Sequence, residues 1–198
     1  MKIEVQNISK KFGKTPVIKN FSGVFEPKTN HAIIGSNGKG KSTLLKMISG
    51  FLSPDSGNIN YSIEGNSLEV ESSYQYISFL ASYITFQEEL TLLETIDFMA
   101  NFKEITTSSA EFFDEFELDK SKKIMDLSTG MKQRFFMGIA FRQNSNAILL
   151  DEPTSFLDSK WKSKFQNLVD QAKNDHLLIL SSNDPFEYEH FNNTVNLV

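Results

Sequence analysis

The chain has no cysteine and only three histidines among its 198 residues. Without cysteine it has no disulfides and no thiolate metal ligands, which is typical of proteins in a reducing compartment, and nothing supports a transition-metal site. No stretch approaches the roughly 20 apolar residues of a membrane-spanning helix. Residues 1–13 alternate polar and apolar side chains and do not form a signal-peptide core. We therefore expect a soluble, cytosolic protein, with any membrane part on another polypeptide.

The charge of the chain is modest. Its 20 basic and 25 acidic residues give a formal net charge of −5, and no long run carries one sign. This argues against a dedicated nucleic-acid-binding protein, because such proteins present basic patches to phosphate. Hydrophobic residues make up 39% of the chain, and 18 phenylalanines indicate an aromatic core. The length predicts a single domain over residues 1–198.

Strand and helix signals alternate along the chain. Strands are predicted at residues 2–6, 17–25, 31–34, 58–63, 74–80, 147–151 and 177–181. A helix at residues 41–49 ends before Gly50, and capping boxes at Thr91 with Glu94 and at Ser108 with Glu111 open two more. A later helix has one apolar face, formed by Trp161, Phe165, Leu168 and Ala172. This alternation predicts an α/β fold around a sheet.

A glycine-rich loop lies between the strand at 31–34 and the helix at 41–49. It reads GSNGKGKS and matches G-x-x-x-x-G-K-S/T, the P-loop pattern. Its glycines let backbone amides wrap phosphate groups, and the helix N-terminus adds partial positive charge. Lys41 is predicted to neutralise the β- and γ-phosphate oxygens and Ser42 to bind Mg²⁺. The predicted nucleotide-binding residues of this segment are Gly35, Ser36, Asn37, Gly38, Lys39, Gly40, Lys41, Ser42 and Thr43.

The apolar run AILL at residues 147–150 is followed by two acids, Asp151 and Glu152. A buried strand that ends in aspartate beside a P-loop places a carboxylate within reach of Mg²⁺. We therefore predict Asp151 as a metal ligand and Glu152 as the general base for the attacking water. The run alone is a common strand-to-turn pattern, and only its pairing with the P-loop favours this interpretation.

Three further segments resemble the ATP-binding cassette (ABC) family. LSTGMKQR at residues 127–134 resembles the family's LSGGQ signature, and DEPTSFLD at residues 151–158 resembles its Walker B motif and D-loop. ISKKFG at residues 8–13 resembles the family's N-terminal segment, with Phe12 as the aromatic that stacks on adenine. The likeness covers nearly the whole chain. The GMKQR form is similar to ATPases of the drug and antibiotic export branch.

The resemblance implies an ATPase that uses ATP and Mg²⁺. Its fold would be an α/β P-loop NTPase core with an N-terminal antiparallel β subdomain and an inserted helical subdomain at about residues 90–141. Two subunits, as a homodimer or pseudo-dimer, would sandwich two ATP molecules, with Ser128 and Gly130 of one facing the γ-phosphate held by the other. The pair would drive a separate transmembrane permease from the cytoplasmic face of the membrane. At a helix N-cap, the Ser128 hydroxyl can donate to an anion. The simpler alternative is that Ser128 only caps its own helix.

Three positions depart from the family's pattern. Ser82 aligns with the glutamine that the family places near Mg²⁺, and Gln87 would require a shifted alignment. Asn183 replaces the switch histidine; it can donate a hydrogen bond to γ-phosphate but cannot carry an imidazolium charge. Lys39 replaces a small residue, and it either adds a cation beside the phosphates or is a solvated loop lysine.

These departures leave two alternative functions open. A nucleotide-gated module that closes on ATP but hydrolyses little is compatible with Asn183 and Ser82. A soluble ABC protein acting on ribosomes or DNA is the other alternative, although such relatives usually carry two cassettes or a long coiled coil. For the transport subunit itself, no nucleic-acid partner is expected.

Overall fold

The computed structural model describes residues 1–81, 83–84 and 86–197. Its strands are β1 (Lys2–Phe12), β2 (Thr15–Phe25), β3 (Asn30–Ile34), β4 (Ser56–Ile63), β5 (Asn66–Leu68), β6 (Ile77–Ala81), β7 (Ala147–Asp151), β8 (Leu177–Ser182) and β9 (Asn193–Asn196). Its helices are α1 (Lys41–Ile48), α2 (Leu92–Ala100), α3 (Ser109–Glu115), α4 (Thr129–Arg142), α5 (Ser159–Ala172) and α6 (Pro185–Tyr188). Short 3-10 helices lie at Val70–Gln75 and Ile124–Asp126. In the described part of the chain, no helix combines the length and apolarity that crossing a membrane requires.

The strands form two sheets. The antiparallel sheet has the order β2-β1-β4-β5, and the second sheet has the order β6-β7-β8-β3-β9 with parallel pairing throughout. Every residue of β7 and β8 is buried, which is typical of parallel strands covered on both faces. The mixed α/β fold that the sequence predicted is therefore confirmed.

The register of the parallel sheet decides where the site lies. Asp151 at the end of β7 is level with Ala81 of β6 and Ser181 of β8, and Ser181 is level with Ile33 of β3. The carboxyl ends of four strands therefore meet at one edge. The loop that follows β3 leaves the sheet at this edge, beside Asp151.

The segment between β6 and β7 contains α2, α3 and α4. Both predicted capping boxes are present: Thr91 and Ser108 accept hydrogen bonds from the backbone of Glu94 and Glu111, whose carboxylates bond back to the capping residues. Completely buried phenylalanines hold these helices together, and each contributes roughly 1.5–3 kcal/mol through burial; they are Phe112, Phe116 and Phe135. The division into one domain with a helical subdomain at about residues 90–141 stays a prediction.

The structure corrects several element boundaries; the first strand, predicted at residues 2–6, extends over Lys2–Phe12. The strand predicted at residues 74–80 begins only at Ile77, because Val70–Gln75 forms a 3-10 helix. Its buried Ser73 donates a hydrogen bond to the Val70 carbonyl and closes that turn. The first helix ends at Ile48 and not at residue 49; Gly50 follows with a left-handed φ of 79°, as is usual just past a helix end.

Candidate nucleotide-binding site

The predicted P-loop connects β3 to α1 and depends on glycine at two points. Gly40 caps α1 with a φ of 90°, and a Cβ there would stand 2.7 Å from Val17 Cγ1. A Cβ on Gly35 would meet the Leu197 carbonyl oxygen at 2.7 Å. A larger residue at either position would push the loop away from the sheet. The backbone amides at the N-terminus of α1 then face outward without intrahelical partners, as anion binding requires.

Lys41 is the first residue of α1 and is 5% exposed. Its Nζ donates to the carbonyl oxygen of Gly35 at 2.8 Å and to that of Ser36 at 3.4 Å. The ammonium group therefore lies within the loop that would enclose the phosphates. Within the described residues, the hydrogen bonds of this buried cation go to backbone carbonyls alone, which suits it to an anionic ligand that neutralises its charge.

Ser42 and Asp151 are brought together by the register of the sheet. Ser42 Oγ donates to Asp151 Oδ1 at 3.0 Å, although the two residues are far apart in sequence. Asp151 is 3% exposed. One hydroxyl and one carboxylate oxygen, side by side at the phosphate loop, fit a hard cation such as Mg²⁺. The third predicted metal residue, Ser82, lies outside the described residues.

Glu152 follows Asp151 with a left-handed φ of 47°, which costs on the order of 1–3 kcal/mol for a residue with a side chain. Its N–H donates to the Ser181 carbonyl at 2.9 Å, and its own carbonyl accepts from the Ser155 N–H at 3.2 Å. Glu152 lines a cavity of about 230 Å³ together with Asn183 and Lys162. This kinked backbone turns Glu152 out of the strand and toward open space at the edge of the sheet.

Asn183 lies just past the end of β8. Its Nδ2 donates to Asn37 Oδ1 of the P-loop at 2.8 Å. The structure thus places the predicted switch residue in direct contact with the phosphate loop. Its catalytic role stays a prediction.

A cleft of about 650 Å³ runs beside the P-loop. It is lined by β2 residues that include Thr15 and Val17, and by Gly38 and Lys39 of the loop. Phe12, predicted to stack on adenine, pairs with Thr15 across the β1–β2 turn and is 54% exposed. Its pairing partner Thr15 lines the cleft, so Phe12 lies at the edge of the cleft, and its stacking on adenine stays a prediction. Lys39 is exposed at the rim, and Thr43 is partly buried in the first turn of α1.

Ser128 and Gly130 lie at the start of α4. Ser128 is the N-cap, and its Oγ accepts a hydrogen bond from the Met131 N–H at 3.3 Å. With Arg134, Lys160 and others, the two residues line a cavity of about 300 Å³, which is separate from the cleft beside the P-loop. Capping of its own helix by Ser128 is therefore observed. The phosphate-binding role of Ser128 and Gly130 stays a prediction.

Sequence reasoning missed two residues at this edge. Tyr83 follows β6, and Lys46 of α1 lies over its ring at 3.7 Å. Partial burial of its hydroxyl, with the nearby Asp151 carboxylate, raises the pKa of Tyr83. Glu187 of α6 is 3% exposed, and burial raises the pKa of its carboxyl. No local motif marks either residue, because both approach the site through strand pairing and helix packing.

The sequence pattern of the ABC transporter family matches residues 18–155 of the chain. The chain belongs to the ABC transporter family. The Bacillus subtilis protein YybJ, an uncharacterized ABC transporter ATP-binding protein, is 34% identical over 181 residues, which cover 86% of this chain and 80% of YybJ. The Escherichia coli polysialic acid transport ATP-binding protein KpsT is 30% identical over 195 residues, which cover 92% of this chain and 83% of KpsT.

A solved structure of a Pyrococcus furiosus protein, assigned to the ABC transporter ATP-binding proteins, superposes with a TM-score of 0.81 at 27% identity and covers 100% of this chain and 98% of its own. The predicted P-loop NTPase fold of the ABC type is therefore confirmed. The chain is an ABC ATP-binding subunit and an ATPase. The export-branch assignment and the roles of single residues stay predictions.

Proposed function

We propose that this ABC subunit binds Mg·ATP, closes with a second subunit around it, hydrolyses it and thereby drives a separate transmembrane permease. The observation that carries the proposal is the 3.0 Å contact of Ser42 with Asp151. It puts a Mg²⁺-compatible oxygen pair directly beside Lys41 and the P-loop amides. This is the minimum set for holding the β- and γ-phosphates of a metal-bound triphosphate.

The proposed chemistry uses position and charge. Lys41 and the loop amides hold the phosphates, and Ser42 with Asp151 would hold Mg²⁺, which neutralises charge on the β- and γ-oxygens when bound. Glu152 orients the attacking water and accepts its proton. Asn183 donates to the γ-phosphate the hydrogen bond that Asn37 now accepts. Such preorganised donors stabilise the charge that develops in the transition state.

The proposed dimer is supported by the position of Ser128 and Gly130 relative to the P-loop of the same chain. Ser128 and Gly130 line their own cavity, away from the cleft of their own P-loop. We propose that the γ-phosphate bound to one subunit's P-loop meets these residues of the other subunit, as a homodimer or a pseudo-dimer. The helix N-terminus at Ser128 offers an N–H dipole to that anion.

We assign the permease partner from the family and from transport relatives such as KpsT. In this proposal the subunit works at the cytoplasmic face of the membrane. One observation favours a second function, a nucleotide-gated module with little hydrolysis. Asn183 is neutral and is already engaged with Asn37, so it supplies less stabilisation to a developing phosphate charge than an imidazolium would.

The proposal is tested by trapping the dimer with Glu152→Gln. The amide keeps the shape of the side chain but loses its basicity, so Mg·ATP should bind, turnover should stop and the protein should elute as a dimer on size exclusion. Glu64→Gln is the matched control, because Glu64 also has a left-handed φ, 50°, but lies in the turn between β4 and β5. A Glu152→Gln monomer with unchanged turnover would reject both the base role and the dimer.

A further inference from the structure

Residues 152–158 form the loop between β7 and α5, which begins with Glu152 and which we call the base loop. Pro153 and Thr154 are buried, whereas Phe156 at its tip is 68% exposed. Glu152 and Phe156 both have left-handed backbone, with φ of 47° and 67°. Residues with side chains hold such conformations only when the surrounding structure imposes them. The contacts that hold the base loop therefore decide where Glu152 points.

One of these contacts comes from α4. Gln133 is 4% exposed, and its Nε2 donates to the Pro153 carbonyl oxygen at 2.7 Å. Proline has no N–H, so its carbonyl is the single backbone group through which residue 153 is anchored. A buried carbonyl that loses its donor is costly, which makes this hydrogen bond a firm link between α4 and the base loop.

The first turn of α4 lies against the same loop. A Cβ on Gly130 would stand 3.0 Å from the Phe156 carbonyl oxygen, so glycine permits the close approach. α4 is continuous from Thr129 to Arg142. Because hydrogen bonds join its successive turns, a displacement of its Ser128 end moves Gln133 with it. The Ser128 end of α4 and the base loop are thus connected within one chain.

The other side of the base loop is held from α6. Glu187 Oε1 accepts hydrogen bonds from the N–H and from the hydroxyl of Thr154, both at 2.7 Å. Glu187 lines the same cavity as Glu152 and Asn183. Since α6 follows β8 and the Asn183 turn, this contact fixes one side of the loop to the segment beside the P-loop. A pull from α4 therefore changes the shape of the base loop and does not simply move it as a whole.

We propose that Gln133 is a positioning residue that links the two ATP sites of the dimer through the base loop. The inference rests on the proposed function, in which Ser128 and Gly130 face the ATP held by the second subunit. Binding of that ATP displaces the start of α4, and Gln133 passes the displacement to Pro153 and so to the adjacent Glu152. Glu152 acts on the ATP of its own P-loop, so each site senses the other. Turnover is then cooperative in ATP.

The test uses Gln133→Met, which keeps the volume of the side chain and removes the donor. We expect ATP affinity within about threefold of the wild type, a kcat about 10-fold to 100-fold lower because the base is misplaced, and a Hill coefficient that falls from near 2 toward 1. Gln133→Asn, too short to reach Pro153, should show the same pattern. The readouts are steady-state phosphate release against ATP concentration, nucleotide binding and melting temperature.

Gln143→Met is the matched control. Gln143 caps the other end of α4, is also buried, and accepts a hydrogen bond from Ser78 Oγ of β6 at 3.1 Å. It should lower the melting temperature as Gln133→Met does and leave the Hill coefficient unchanged. An equal fall of kcat and cooperativity in both variants, or a wild-type Hill coefficient of one, overturns the coupling role but not the ATPase function. A wild type without Mg·ATP hydrolysis overturns both.

Discussion

Asn183 Nδ2 lies 2.8 Å from Asn37 Oδ1, so the segment after β8 touches the P-loop through a pair of neutral amides. Neither amide changes charge near neutral pH. In the proposed mechanism the Asn183 donor moves from Asn37 to the γ-phosphate when ATP binds. The electrostatic support at this position is therefore weaker than a histidine would give, and it is independent of pH.

The first prediction concerns Asn183→His. Loss of one electrostatic donor typically costs about 2.7–4 kcal/mol, and asparagine already keeps one donor, so we expect a smaller gain in kcat, about 10-fold. The gain should grow as the pH falls through the usual histidine pKa of about 6.5, because only the protonated ring is a cation. The measurement is phosphate release at saturating Mg·ATP between pH 5.5 and 8, with and without the permease. An unchanged or lower rate would show that the site is adapted to asparagine.

Lys41→Ala should abolish ATP binding at physiological concentrations, because it removes the fixed cation that faces two phosphate groups. The matched control is Lys103→Ala. Lys103 is also largely withdrawn from water, which lowers its pKa to about 8, and its Nζ donates to the Ile77 carbonyl at 2.6 Å. Equilibrium binding of a fluorescent ATP analogue separates the two variants. Affinity within a few-fold of the wild type for Lys41→Ala would reject the P-loop assignment.

Ser42→Ala and Asp151→Asn should each raise the Mg²⁺ concentration that gives half-maximal turnover, by about 10-fold or more. The first removes the hydroxyl oxygen of the proposed metal pair, and the second removes the negative charge of its carboxylate. A titration of Mg²⁺ at saturating ATP measures this. Ser49→Ala serves as control, since its hydroxyl bonds to the Lys46 carbonyl at the far end of α1. Equal Mg²⁺ requirements in all three variants would contradict the metal assignment.

Glu187→Gln should make stability less dependent on pH. Burial raises the pKa of the Glu187 carboxyl in the folded state, so the folded protein binds a proton more tightly than the unfolded chain does. The contribution of this group to the free energy of unfolding therefore falls as the pH rises from its pKa in the unfolded chain, about 4.5, through its raised pKa in the folded protein. The amide does not titrate, so the melting temperature of Glu187→Gln relative to the wild type should rise between pH 5 and pH 7.5.

For Glu187→Gln, each kcal/mol of change in the free energy of unfolding corresponds to a shift of about 2–4 °C in melting temperature for a domain of this size. Glu89→Gln, at an exposed turn, controls for the loss of one negative charge. A wild-type melting temperature with the same pH dependence as Glu187→Gln would mean that Glu187 does not hold its proton more tightly in the folded state.

Much of the fold was readable from the sequence, because its signals are local. A capping box such as Thr91 with Glu94 is complete within one helical turn. The glycines of the P-loop indicate backbone conformations and close contacts that other residues rarely tolerate. The 3-10 helix at Val70–Gln75 was missed because Tyr74 and nearby apolar residues equally favour a strand. Whether this segment forms a 3-10 helix or a strand depends on Ser73, which is buried against the rest of the fold.

The sequence by itself determined the chemistry that this protein has available: a cation, a hydroxyl, two adjacent acids and an asparagine in place of a histidine. Only the tertiary structure decided which of these meet. The parallel register sets Asp151 beside Ser42, and helix packing joins Gln133 to Pro153 and Glu187 to Thr154. Contacts between residues so distant in the chain depend on the packing of whole elements, and a short motif carries no information about that packing.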